Sequence, residues 1–99
     1  MRLSIIAIGR ARVGPESMLF KNYCERINAW PVTLVEKELR KKIDINKVAI
    51  VESELLMKAI PKGAFIVVLD EHGKELPSKG FAQLINELST LGHREMAFI

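Results

Sequence analysis

The run Ala64-Phe65-Ile66-Val67-Val68-Leu69 decides the predicted fold, because it lies between two stretches with helical periodicity. Continuous apolar runs rich in β-branched residues are typical of strands covered on both faces, as in parallel sheets. Apolar residues recur at helical spacing on either side, at Val48, Val51, Leu55 and Ala59 before the run and at Phe81, Ile85 and Leu88 after it. This run is the strongest strand signal in the chain, and its flanks predict helical crossovers.

The same alternation extends to both ends of the chain. Further strands are predicted at Leu3–Ile8, Val32–Val35 and Arg94–Ile99. A first helix is predicted from Pro15 to the break at Pro31, with Leu19, Tyr23, Ile27 and Trp30 as its apolar stripe. The predicted fold class is therefore α/β, with strands and helices in the order β-α-β-α-β-α-β. Right-handed crossovers would place helices on both faces of a parallel sheet.

Short polar residues and a glycine predict three helix ends. Asp44 or Asn46 is expected to cap the second helix, and Ser78 the third. Gly92 fits the C-terminal end of the third helix.

Composition restricts the class of protein. A chain of 99 residues predicts a single domain, residues 1–99, and its apolar fraction of 48% is that of a globular protein. No apolar run approaches the ~20 residues of a membrane span. The single Cys24 excludes an internal disulfide and favours a reducing cytoplasm. The net charge of +3 indicates a mild preference for anionic partners.

Two predicted strand-end loops carry cations. The first, Gly9–Pro15, places Arg10 and Arg12 beside a helix N-terminus, which suits a phosphate or RNA contact. The second, Lys37–Lys42, offers the same chemistry through Arg40, Lys41 and Lys42. For each loop, a solvated connection whose cations contact only water is the favoured interpretation, and phosphate contact is the alternative.

A third loop, Asp70-Glu71-His72-Gly73-Lys74, follows the central apolar run. Two carboxylates and an imidazole suggest a metal or acid/base site, but adjacent residues seldom converge on one ion. A surface turn is the favoured interpretation, and no metal site is assigned. No set of residues for nucleophilic catalysis stands out, so the catalytic residues stay unknown.

Three blocks of the sequence resemble one known family, the ribosomal RNA large-subunit methyltransferase H family. The first block is Met1-Arg2-Leu3-Ser4-Ile5-Ile6-Ala7-Ile8-Gly9-Arg10-Ala11-Arg12 with Gly14-Pro15-Glu16. The second is Phe65-Ile66-Val67-Val68-Leu69-Asp70-Glu71-His72-Gly73-Lys74, and the third is Arg94-Glu95-Met96-Ala97-Phe98-Ile99. The blocks occur in the family's order and span the whole chain.

The resemblance implies a SPOUT-class enzyme that uses S-adenosylmethionine to methylate N3 of a pseudouridine in large-subunit (23S) rRNA. It implies a homodimer that acts on the assembled ribosome. Of the family's cofactor contacts, only the leucine of the third strand has a counterpart, Leu69. The Gly-Gly cofactor loop would follow Ile99. The resemblance therefore predicts a truncated SPOUT scaffold without the C-terminal trefoil knot, and a chain that is inactive alone.

Two other functions remain open at this point. The chain could be a non-catalytic module that binds rRNA or the ribosome through Arg10, Arg12 and Arg40–Lys42. It could instead be a self-associating α/β module, because a sheet without the family's remaining part leaves apolar surface and strand edges uncovered.

Overall fold

The computed structural model describes residues 1–39 and 42–99 of the chain. Strands and helices alternate in the predicted order. They are β1 (Arg2–Ile8), α1 (Pro15–Arg26), β2 (Val32–Lys37), α2 (Ile45–Ala59), β3 (Phe65–Val67), α3 (Ser78–Thr90) and β4 (Glu95–Phe98).

The described strands form one four-stranded sheet in the order β2-β1-β4-β3, and every pairing is parallel. The predicted parallel α/β fold is therefore confirmed. β1 and β4 are the central strands, with Leu3 opposite Val32 on one side and Met96 on the other. The chain moves in one direction across the sheet from β1 to β2 and in the other from β2 to β3. Right-handed crossovers then place α2 on the face opposite α1 and α3.

The main core lies between α3 and one face of the central strands. Leu3, Met96 and Phe98 pack there against Ile85 and Leu88 of α3, and all five are buried. Neighbouring residues of a strand point to opposite faces, so the buried Ile6 and Ala97 lie on the other face. That is the face of α2, which contacts both β1 and β2. Met96, Ala97 and Phe98 of β4 are all apolar and buried, because a central strand covered on both faces has no solvent-facing side.

β3 differs most from its prediction. It has three residues, Phe65–Val67, and lies at an edge of the sheet, although the apolar run extends from Ala64 to Leu69. An edge strand has a pairing partner on one side only, and the side chains of Val68 and Leu69 are exposed. The backbone still follows β4 past the strand end, where the Leu69 N–H donates to the Ile99 carbonyl at 2.8 Å.

α1 is also shorter and less packed than its sequence suggests. It ends at Arg26, well before the predicted break at Pro31, because Ile27 adopts an extended backbone conformation. Leu19 and Tyr23 in its apolar stripe are more than half exposed, so the helix buries little of that stripe.

The predicted helix ends are confirmed at two positions and wrong at a third. The Asp44 carboxylate accepts the Asn46 N–H at 3.2 Å, which caps α2. Gly92 follows α3 with φ of 99°, a left-handed conformation that favours glycine. Ser78 is the first residue of α3 and Pro77 occupies the cap position, without a side-chain hydrogen bond. Proline has no side-chain oxygen, so the prediction of a serine cap fails.

The surface of the chain is large for its length. Its accessible area is 8274 Å², whereas a compact protein of 11.2 kDa exposes about 5,700 Å². The radius of gyration is 15.0 Å, against about 12.6 Å for a compact domain of this length. About 2,600 Å² of surface is therefore exposed beyond the compact value.

Among residues 1–39 and 42–99, no helix combines the length and the hydropathy that crossing a bilayer requires.

Candidate functional site

The carboxyl ends of the four parallel strands meet at one edge of the sheet, where ligands of open α/β folds usually bind. The loop after β1, the start of the connection after β2, the loop after β3 and the residue after β4 all lie there. Arg10 and Arg12 belong to the first of these segments, and Leu69 belongs to the third. Parallel pairing therefore gathers residues that are far apart in the sequence.

The loop after β1 is attached to the end of β2. The Gly9 N–H donates to the Lys37 carbonyl at 2.7 Å, which continues the pairing of the two strands by one residue. Gly9 then turns the chain with φ of 98°, in the left-handed region. Two residues later, the Ala11 N–H donates to Oε2 of Glu36. A backbone contact and a side-chain contact therefore both hold this loop beside β2.

The two arginines of this loop have different surroundings. Nε of Arg10 lies 4.0 Å from Oε1 of Glu38, and both side chains are largely exposed, so the ion pair is weak. Arg12 is also exposed. Within residues 1–39 and 42–99, no carboxylate comes within ion-pairing distance of Arg12. Arg12 is thus the more available of the two for an external anion.

The second basic loop is described only in part. Arg40 and Lys41 lie outside the described residues. Lys42 is exposed and stands shortly before the first turn of α2, on the connection that leaves the strand-end edge. Of the three candidate contacts in this loop, the structure therefore places one, Lys42, near the edge that also carries Arg12.

Leu69 lines an apolar groove next to the strand ends. Its side chain is 62% exposed. The groove has a volume of about 330 Å³ and runs over the sheet, with Leu3 and Ile5 of β1 as its floor and Phe81 of α3 on one side. Trp30, from the connection between α1 and β2, also lines it.

The groove has the size of a small-molecule site but only part of the chemistry. Binding sites of about 300–1,000 Å³ usually combine apolar walls with a few well-placed polar groups. In the part of the chain that the structure describes, every residue that lines this groove is apolar. The groove can cover a flat apolar group of a ligand. Among the described residues, its lining offers no hydrogen bond to a polar group of that ligand.

The loop after β3 forms a turn, as the favoured interpretation predicts. Oδ1 of Asp70 accepts the His72 N–H at 2.8 Å, and the Asp70 carbonyl accepts the Gly73 N–H at 3.0 Å. Nε2 of His72 lies 3.3 Å from Oε1 of Glu71, and both side chains point into solvent. Across the described ranges, no three His, Cys, Asp or Glu side chains gather closely enough to hold a metal ion.

Sequence reasoning missed one residue of this edge, Glu36, and one residue of the groove, Trp30. Glu36 appears in the sequence only as the start of a charged stretch, yet its carboxylate holds the loop after β1. Trp30 appears as a helix residue, yet it follows α1 and lines the groove. A signal for Glu36 existed, because a carboxylate near the end of a predicted strand lies close to the neighbouring strand-end loop.

Comparisons with known proteins agree over the whole chain. A family model described as "Predicted SPOUT methyltransferase" matches residues 1–99. The Ribosomal RNA large subunit methyltransferase H of Rhodospirillum centenum is 40% identical over 99 residues, and that of Paramagnetospirillum magneticum is 38% identical over 99 residues. The protein of the same name from Ruegeria sp. is 36% identical over 106 residues. All of this chain is covered in each case, and it spans 64–65% of the relatives' length.

Proposed function

Because this chain belongs to the SPOUT methyltransferase family, we propose that it forms part of an S-adenosylmethionine-dependent methyltransferase acting on large-subunit rRNA. The observation that carries the proposal is the match of all 99 residues to relatives named for that activity. The proposed reaction is methyl transfer to N3 of a pseudouridine in 23S rRNA of the assembled ribosome. Cytoplasmic location, a single domain over residues 1–99 and homodimeric assembly belong to the same proposal.

The role proposed for this chain is to present RNA-binding cations at the strand-end edge. Arg12 and Lys42 are exposed there, and Arg10 is held only by a weak surface ion pair. Guanidinium and ammonium groups bind phosphate oxygens through charge-assisted hydrogen bonds. Arg40 and Lys41 lie outside the described residues, and their proposed contact with RNA rests on the sequence alone.

The cofactor fits the described residues only in part. S-adenosylmethionine supplies an activated methyl group, and it carries an adenine ring, ribose hydroxyls and a charged amino-acid end. Leu69 and the adjoining apolar groove can cover the flat adenine ring. In residues 1–39 and 42–99, the groove has no polar lining residue for the other groups. These residues therefore support no step of methyl transfer by themselves, and we propose that the 99-residue chain alone is inactive.

The first test measures cofactor binding by calorimetry. A contact at Leu69 contributes on the order of 1–3 kcal/mol, whereas micromolar binding needs about 8 kcal/mol. We expect a dissociation constant weaker than about 1 mM for the isolated chain, and no transfer of tritiated methyl groups to 23S rRNA. The Rhodospirillum centenum relative serves as the positive control. Micromolar binding of S-adenosylmethionine by the 99-residue chain would contradict the proposed inactivity. Loss of that binding in Leu69→Ala would support Leu69 as a cofactor contact.

The second test measures binding to ribosomal particles at two salt concentrations. With about three phosphate contacts, counterion release predicts a roughly 20- to 40-fold loss of affinity between about 50 and 200 mM salt. Arg12→Ala should reduce the slope of log affinity against log salt concentration by about the contribution of one phosphate contact. Arg94→Ala is the matched control, because Arg94 is exposed and precedes β4, at the opposite edge of the sheet. Equal retention at both salt concentrations, or no retention, rules out the RNA contact.

The two tests together separate the enzyme from a non-catalytic rRNA-binding module. Salt-sensitive binding is expected for both. Methyl transfer by the positive control to the same particles shows that the substrate is competent. The chain and the relative should compete for the same ribosomal site if the chain has the family function. Binding of the chain that the relative does not displace favours the non-catalytic module.

A further inference from the structure

Glu36 has an unusual position for a carboxylate on an edge proposed to bind RNA. It is the next-to-last residue of β2 and lies opposite Ala7 in the register with β1. Its side chain is half-buried. Oε2 accepts the Ala11 N–H of the loop after β1, although the two residues are 25 positions apart in the sequence.

The loop that Glu36 holds has little other support. Arg10, Ala11, Arg12 and Val13 are all exposed, so the loop gains little from packing. Its other anchor, the bond from the Gly9 N–H to the Lys37 carbonyl, fixes only where the loop begins. Hydrogen bonds to an ionised acceptor are about twice as strong as neutral ones. The carboxylate is therefore the contact that fixes the middle of the loop.

We propose that Glu36 is a positioning residue for RNA binding, whose carboxylate holds the Arg10–Arg12 loop against the end of β2. The inference rests on the proposed function, because it assumes that this loop contacts rRNA. Glu36 acts through Ala11 and does not itself touch the ligand. Without the bond, Arg12 would sample many positions, and RNA binding would have to order the loop at an entropic cost.

Charge alone predicts the opposite result for the same residue. Glu36 places a negative charge beside Arg10 and Arg12, so its removal raises the net charge from +3 and should strengthen binding to a polyanion. Glu38 is a matched comparison, because its carboxylate faces the Arg10 side chain at 4.0 Å and lies beside the same loop. The sign of the change in affinity therefore distinguishes positioning from simple electrostatics.

The experiment compares Glu36→Ala, Glu36→Gln and Glu38→Ala in binding to ribosomal particles at about 50 mM salt. All three variants lose one negative charge, but glutamine keeps an oxygen that can accept the Ala11 N–H. Loss of the positioning bond should weaken binding about fivefold in Glu36→Ala. Glu36→Gln should stay within about twofold of the wild type. Glu38→Ala should bind as tightly as the wild type or more tightly.

A second readout follows the hydrogen bond directly. Amide hydrogen exchange at Ala11 should accelerate in Glu36→Ala and stay slow in Glu36→Gln, while thermal unfolding shows that both variants are folded. The inference is overturned if Glu36→Ala binds as tightly as Glu36→Gln, or if exchange at Ala11 is the same in Glu36→Ala and the wild type. Absence of salt-sensitive binding by the wild type defeats the proposed RNA contact itself, and this inference with it.

Discussion

Replacing Met96 with alanine is expected to lower the free energy of unfolding by about 2–5 kcal/mol. Met96 is 0% exposed, the most deeply buried large side chain of the described residues. It lies on a central strand between Leu3 and Phe65 in the sheet register. Shortening it leaves a cavity that rigid neighbouring strands cannot close. A domain of this length has about 5–15 kcal/mol of stability in total, so the loss is a large fraction.

Urea denaturation followed by circular dichroism measures this change, and Met57→Ala is the matched control. Met57 lies on α2 and is 59% exposed, so the same truncation should change stability by less than about 0.5 kcal/mol. Equal losses in the two variants would show that the face of the sheet against α3 is not the stabilising core.

Self-association of the 99-residue chain is the second large expected effect. The excess exposed surface of about 2,600 Å² exceeds the 1,200–2,000 Å² buried in a typical stable complex. The groove lined by Leu69, Leu3 and Ile5 and the exposed stripe of α1 contribute apolar area to it. A second copy of the chain can cover these surfaces. Light scattering should therefore give a mass above 11.2 kDa that rises with protein concentration.

Two leucine variants distinguish association through the groove from non-specific association through other apolar surface. Leu69→Glu places a charge in the groove and should shift the chain toward monomer. Leu91→Glu adds the same charge at a side chain that is 76% exposed and lies outside the groove, so it should leave the association unchanged. A monomer over the whole concentration range would contradict the prediction. Equal effects of the two variants would place the contact elsewhere.

Local sequence signals predicted the order of the elements because each signal depends on neighbouring residues only. The apolar pattern of Arg94–Ile99 correctly indicated a buried strand, and Asp44 correctly indicated a helix cap. The apolar run at Ala64–Leu69 indicated a strand equally strongly, yet β3 has three residues at an edge. An apolar run indicates how much surface a strand could bury. The number of neighbouring strands determines how much of that surface is buried in the fold.

The candidate site was predictable in its composition and not in its arrangement. The cations Arg10, Arg12 and Lys42 were identified from their loops, because parallel strands bring their carboxyl ends together. The ion pair of Arg10 with Glu38 and the anchoring role of Glu36 depend on the pairing of β1 with β2. Such contacts between distant residues follow from the sheet register, which no single segment encodes.

The position of β4 between β1 and β3 has a consequence for how the chain folds during its synthesis. β1 and β3 leave the ribosome before β4, and they do not pair with each other. β4, which lies between them in the sheet, is synthesised last. Until Phe98 is available, the nascent chain can assemble only the β1–β2 pair with α1 and with α2, which contacts both strands. Contacts as distant as Arg2 with Glu95 make this a topology of high contact order, which folds slowly and exposes its apolar strands to chaperones in the meantime.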